Sequence, residues 1–143
     1  MLTKTTEYAI RALIFIQARN LKGERPRLPE IAEGSNAPVH YIGKILQTLV
    51  RHRLLASAKG PGGGFFFAKN VPSISLFDVI RLMEGEAFFH RCGFGLNNCS
   101  VENPCPAHDQ YREIRELYLE KVTRLTIADL AERVNEGKAY LDV

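Results

Sequence analysis

Residues 38–67 read PVHYIGKILQTLVRHRLLASAKGPGGGFFF, and this stretch decides the fold. Its first half is a helix with two separate faces. Ile42, Ile45, Leu46 and Leu49 recur at i, i+3, i+4 and i+7 and turn toward a core, while His40, Lys44, Gln47 and Arg51 line the other side with donors and cations only. Pro38 opens that helix. Just Ser35, Asn36 and Ala37 separate it from a shorter helix, which Pro29 opens at its first position, Glu30 favours near its positive end and Gly34 stops. Two helices across a tight turn, the second with an exposed cationic stripe, have the form of a helix-turn-helix unit. The second half is a hairpin. Residues 54–58 and 65–68 are strand-like runs around Lys59-Gly60-Pro61-Gly62-Gly63-Gly64. Four glycines exceed the need of a turn and let a backbone approach a ligand closely, and Lys59 suits a negatively charged groove. No Lys-Ser/Thr follows the last glycine and no Gly-x-Gly-x-x-Gly opens a helix, so a nucleotide cradle is excluded.

Working outward, residues 3–20 form a helix with Ile10, Leu13 and Ile14 on one face, ended by Asn20 and Gly23, and a basic loop with Arg25 and Arg27 follows. Residues 73–83 resume a helical pattern through Leu76, Val79, Ile80 and Met83. Pro106 starts a long helix whose stripe of Tyr111, Ile114, Leu117, Tyr118, Val122 and Leu125 suits pairing with a second copy, and Thr126 to Asp129 caps a last short helix. The fold class is therefore mainly α with a small β-hairpin wing. Residues 1–84 form the DNA-binding unit, 85–105 a cysteine loop, and 106–143 a dimerisation helix with a C-terminal cap.

At 143 residues the chain buries a core without covalent staples. No stretch approaches the ~20 apolar residues of a membrane span. Residues 1–70 carry eleven Lys/Arg against four Asp/Glu and residues 71–143 eight against twelve, so a basic front half (+7) precedes an acidic rear half (−4). The basic half points to a polyanion partner. The three cysteines cannot all pair internally, and the apolar run from Ala9 to Ile16 is broken by Arg11 and lacks a cleavage site, which implies a reducing, cytoplasmic setting.

Those cysteines, the chain's full complement, fall within fourteen residues as Cys92-x6-Cys99-x5-Cys105, with His108 three residues on. Three thiolates and an imidazole complete one zinc ion or one cluster site. Zinc knuckles usually bring two cysteines within about two to four residues, whereas six and five intervene here, which argues against zinc. Cys105 and His108 could also form a thiolate-imidazole pair, but no substrate pocket or third orienting group accompanies them, so the chain reads as no enzyme.

Taken together, Leu2-Thr3-Lys4 with Tyr8 to Leu13, Tyr41-Ile42 through Ile45-Leu46, the Gly60 to Phe65 wing, Ile80 to Gly85, the cysteine trio and Thr126 to Leu130 resemble one family. It is the IscR/NsrR/CymR-type family of bacterial winged helix-turn-helix regulators, which comprises the iron-sulfur cluster regulator, the nitric-oxide-sensitive repressor and the cysteine-metabolism repressor. The resemblance implies a homodimer on a double-stranded DNA operator, with the long helix crossing to the partner. The third helix, with His40, Tyr41, Lys44 and Gln47, would serve the major groove, Lys44 and Gln47 at base edges, while Arg51 and the wing residues Lys59, Gly60, Gly62 and Gly63 would lie near the backbone or the minor groove. It also implies an iron-sulfur cluster on Cys92, Cys99 and Cys105, 2Fe-2S in preference to 4Fe-4S. His108 matches the histidine ligand of some 2Fe-2S members, and Glu7 the position from which others donate a carboxylate across the dimer. Gly43 departs from members with a polar side chain there, so the operator sequence does not carry over. The implied function is a cluster-dependent transcription regulator, a repressor, sensing redox, nitric oxide or iron-sulfur status. The alternative is an iron-sulfur or zinc redox protein without specific DNA binding, which would leave the basic helix and the wing unexplained.

Overall fold

Helix α1 (Lys4–Leu21) starts where Thr3 accepts the Thr6 N–H at 3.4 Å, with Glu7 in its positive first turn and Arg19 in its last. The computed structural model describes residues 1–141. Asp142 and Val143, the end of the expected cap, lie outside the described residues. Thr6, Ala9, Ala12, Leu13, Ile14, Ile16 and Ala18 are all buried, which covers far more of the helix than one stripe. The stripe of Ile10, Leu13 and Ile14 thus caught only part of the buried surface, and Ile10 itself is half-buried. Alanines carry little hydrophobicity in a sequence pattern, yet their small size is what lets neighbours close in.

Helix α2 (Leu28–Gly34) and helix α3 (Val39–Arg51) pack on α1 and on each other. Both start one residue away from expectation: Pro29 is the second residue of α2, whose cap is Arg27, and Pro38 is the cap of α3 and not its first residue. The turn between them is closed by the Ala37 N–H on the Ala32 carbonyl at 3.0 Å, with Asn36 at a φ of 48°. Ile42, Ile45, Leu46 and Leu49 are buried as their spacing requires.

Strands β1 (Ala56–Ala58) and β2 (Gly64–Phe66) pair antiparallel, Ala56 with Phe66 and Ala58 with Gly64. They are shorter than the strand-like runs because both ends of the hairpin are engaged elsewhere. Leu54 N–H closes the end of α3 on the Leu49 carbonyl at 3.0 Å, and Phe67 N–H donates to Asn20 Oδ1 at 2.9 Å.

Helix α4 (Leu76–Glu84) and helix α6 (Ile127–Asn135) begin side by side. Ser75 with Asp78, and Thr126 with Asp129, each form a capping box. The two caps bridge, with Leu76 N–H on the Leu125 carbonyl at 2.8 Å and Ile127 N–H on the Ile74 carbonyl at 2.9 Å. Helix α6 then returns to α1, burying Ile127 and Ala131 in the same core as α1 to α3. The divisions at 85 and 106 therefore cut the chain but not the core. The first part of the 85–105 cysteine loop, directly after α4, is a 3-10 turn, Glu86–Phe89, that the sequence pattern did not reveal. Helix α5 (His108–Arg124) starts two residues later than Pro106 and seats Val122 against Ile80 and Phe89. Ile114 and Leu117 remain 61% and 55% exposed.

Glu84 ties the end of α4 to the start of α1: its Oε1 accepts from Thr3 N–H and Thr6 Oγ1, both at 2.7 Å. Partial burial favours the protonated acid, but the hydrogen bonds from Thr3 and Thr6 outweigh it and hold the carboxyl below its usual value. A depressed carboxylate stabilises the fold above its unfolded pKa, and that contribution disappears as pH falls through the folded value. Glu84→Ala is expected to cost about 1–2 kcal/mol at neutral pH. Denaturant unfolding of variant and wild type across acid pH should show the gap narrowing below the ordinary carboxylate range.

Candidate nucleic-acid interface and metal centre

With Ile42, Ile45, Leu46 and Leu49 in the core, α3 turns His40, Tyr41, Lys44, Gln47 and Arg51 to solvent, all five exposed. The His40 and Tyr41 rings meet at 4.4 Å between centroids, tilted by 39°, and Tyr41 lies 6.2 Å from Tyr8 of α1. Arg11 sits 5.0 Å over the Tyr8 ring and donates to the Asn36 carbonyl in the turn at 3.3 Å. Tyr8 and Arg11 therefore buttress α3 and the turn before it from α1. Their helical spacing carries no sign of this, since only the fold brings residue 8 to residue 41. Gly43 has room: an added Cβ would meet only Leu28 Cδ2, at an ordinary 3.7 Å. Packing within the chain does not require the glycine.

The wing glycines divide into two kinds. Gly60 and Gly62 are exposed, at φ of 80° and 72°, with open space around them, and Lys59 is exposed beside them. Gly63 and Gly64 are buried, Gly64 also at a φ of 135°. A Cβ on Gly63 would lie 2.3 Å from the Ala58 carbonyl oxygen, and one on Gly64 2.3 Å from that of Arg25. Gly63, grouped with the minor-groove residues by resemblance, is thus required by the hairpin itself.

In the cysteine loop the three sulfurs converge to within 4.8 Å of one another. Cys92 Sγ and Cys105 Sγ are 3.7 Å apart. Two thiolates sharing a tetrahedral metal through bonds of ~2.3 Å stand ~3.8 Å apart, so this pair already spans one edge of a coordination tetrahedron. His108, the first residue of α5, turns its Nδ1 to Cys99 Sγ at 3.2 Å. Its ring is buried at 8% exposure, and its Nε2 has no hydrogen-bond partner. Beside Cys92, Gly93 packs against the Tyr111 ring of α5, which an added Cβ would meet at 2.3 Å. Glu7 is elsewhere: its carboxylate pairs with Lys4 Nζ at 2.8 Å and is outside the converging group.

The model of the Rrf2 family, described as an iron-dependent transcriptional regulator, matches residues 2–133. The chain belongs to the Rrf2 family. It is 29% identical over 129 residues to the HTH-type transcriptional regulator IscR of Sodalis glossinidius (strain morsitans), covering 90% of this chain and 77% of that one. It is 32% identical over 133 residues to protein aau3 of Rhizobium meliloti (strain 1021), covering 92% and 84%. In fold it is similar to CymR (YrzC), the global cysteine regulator of B. subtilis, with a TM-score of 0.73 at 22% identity over 92% of this chain and 96% of that one. As an Rrf2 protein the chain is a DNA-binding transcription regulator.

In this Rrf2 regulator the thiols differ. The Phe94 N–H donates to Cys92 Sγ at 3.4 Å and, with a further backbone donation from Leu96 and the neighbouring thiols, brings Cys92 down to about 7 against the effect of burial. Burial and the two neighbouring sulfurs push Cys105 up. In metal-free protein at pH 7 to 8, iodoacetamide should modify Cys92 well before Cys105, as peptide mass spectrometry at timed intervals would show. Gly43→Ala should raise folding stability by up to ~1 kcal/mol through helix propensity. Denaturant titration checks it, and a loss would mean that α3 needs the glycine for folding.

Proposed function

We propose that this chain is a cluster-dependent regulator, a repressor whose operator affinity is set by an iron-sulfur cluster on Cys92, Cys99, Cys105 and His108. The observation that carries the reading is the convergence of three sulfurs beside a buried imidazole in a chain that also bears an exposed reading helix. The donor set fits the group: one sulfur pair at a shared-metal separation, a second pairing of Cys99 with His108, and a buried ring nitrogen left without a partner. A 2Fe-2S cluster is the preferred nuclearity, and histidine ligation would raise its potential above that of an all-thiolate site. The name IscR on a 29% identical relative agrees with this reading. His108 is preferred to Glu7 because it reaches Cys99 within one chain.

The protein's own part is mechanical. Gly93, next to Cys92, lies against the Tyr111 ring, and His108 opens α5, so whatever the four side chains hold joins the loop to that helix. The Ile114 and Leu117 face of α5, bare in the single chain, is the surface we assign to a second copy, as a dimer on a two-fold operator requires. A shift of α5 then changes the separation of two reading heads. A difference of ~1–3 kcal/mol between states gives a roughly 5- to 150-fold change in operator affinity. Lys44 and Gln47 are assigned to base edges, Arg51 and Lys59 to backbone and minor groove.

The test is iron, acid-labile sulfide and zinc content, with the absorbance spectrum, after anaerobic purification. Iron and sulfide are expected, and Ala in place of any one cysteine should bleach the spectrum and leave the helical content intact. His108→Ala should perturb the cluster and Glu7→Ala should not. Stoichiometric zinc without sulfide would replace the cluster by a Cys3His zinc site, and an effect of Glu7→Ala alone would move the fourth ligand to the partner subunit.

A further inference from the structure

The wing pairs only three residues of each strand, too little to keep its own angle in water. What holds it is the edge of β2 turned away from β1. There Phe65 N–H donates to the Pro26 carbonyl at 2.9 Å. Asn20, at the end of α1, lays its carboxamide along the same edge: Nδ2 donates to the Phe65 carbonyl at 3.2 Å, and Oδ1 accepts the Phe67 N–H at 2.9 Å. One donor and one acceptor offered to residues 65 and 67 substitute for a residue of a third strand. The same Nδ2 also donates to the Glu24 carbonyl at 2.9 Å, which fixes the loop before α2. Arg27 reaches the tip and donates to the Gly60 carbonyl, and the Arg25 guanidinium lies 3.8 Å from the centre of the Phe66 ring.

We propose that Asn20, supported by Arg27, is a positioning residue for DNA reading: it sets the angle at which the wing carries Lys59 and the Gly60–Gly62 backbone to the duplex. The inference rests on the DNA-reading role given above to α3 and the wing. Asn20 is half-buried behind β2 and uncharged, so it acts through the wing and not by touching nucleic acid. It stands on the helix against which α3 also packs, so wing and reading helix share one reference.

The experiment uses the full chain, purified anaerobically, and a duplex selected from a random-sequence pool by the wild-type protein. Affinity is measured across a salt series for wild type, Asn20→Ala, Lys59→Ala and the double variant. Losing one phosphate contact lowers the slope of log affinity against log salt by ~0.9, which at 0.1 M salt is about an eightfold loss. Asn20→Ala removes no charge, yet it is expected to lower the slope by about that amount, and its effect should largely vanish in the Lys59→Ala background. Simple destabilisation would reduce the folded fraction and leave the slope alone, so thermal melts by circular dichroism accompany each titration. Asn20→Ser, which keeps a hydroxyl but cannot span residues 65 and 67, should act in the same direction and serves if the alanine variant does not fold. An unchanged slope for folded Asn20→Ala or Asn20→Ser, or losses that add fully with Lys59→Ala, overturns the proposal. Wild-type protein that retains no duplex from the pool at any salt overturns the DNA reading itself.

Discussion

Helices α2, α3, α4 and α6 and the hairpin are all referred to one helix, α1, and the smallness of three side chains allows it. Ala9, Ala12 and Ala18 of α1 are buried, so neighbouring helices approach α1 closely and from several directions. Helix α3 rests on it, α2 and α4 flank it, α6 covers it, and the wing is moored at its end by Asn20. Because interiors pack at nearly crystalline density, a larger side chain at any of these positions would displace an entire helix. The geometry of the reading surface is thus set behind it, on a helix that presents little of itself to solvent.

The sequence revealed most where a pattern is amphipathic. The faces of α3 could be read from spacing because every apolar residue at i, i+3, i+4 and i+7 is buried and every cation between them is exposed. The cysteine trio was legible because clustered thiols in a polar loop have few other uses, and the sulfurs do converge. Three features were not legible, for physical reasons. The burial of α1 depends on alanines, which weigh little in a hydrophobic pattern. The contact of Tyr8 with Tyr41, and that of Asn20 with β2, are made only by the tertiary fold. The wing glycines look alike in sequence, but Gly63 answers to close backbone contacts, Gly60 and Gly62 to positive φ, and Gly64 to both.

The cysteine loop and the reading head meet through short connections. Glu84 bonds Thr3 and Thr6 at the start of α1, and one residue later the chain turns at Gly85 into the segment leading to Cys92. Phe89 packs with Ile80 of α4 and Val122 of α5, so the apolar cluster beneath the loop draws on the helices at both ends of it. Packed side chains and a carboxylate with two donors thus connect α5 to α1 by way of α4.

The return of α6 to α1 also bears on how the protein comes to be made. Asn135 Nδ2 donates to the Ala18 carbonyl at 3.0 Å, a bond between residues 117 positions apart. During synthesis the reading helix, turn and wing all leave the ribosome long before the segment that completes their core. Until α6 emerges, the α1 surface that it covers stays open to solvent and to other chains. The order of the elements thus delays completion of the core behind α3 and the wing until the cysteine loop and α5 have been translated.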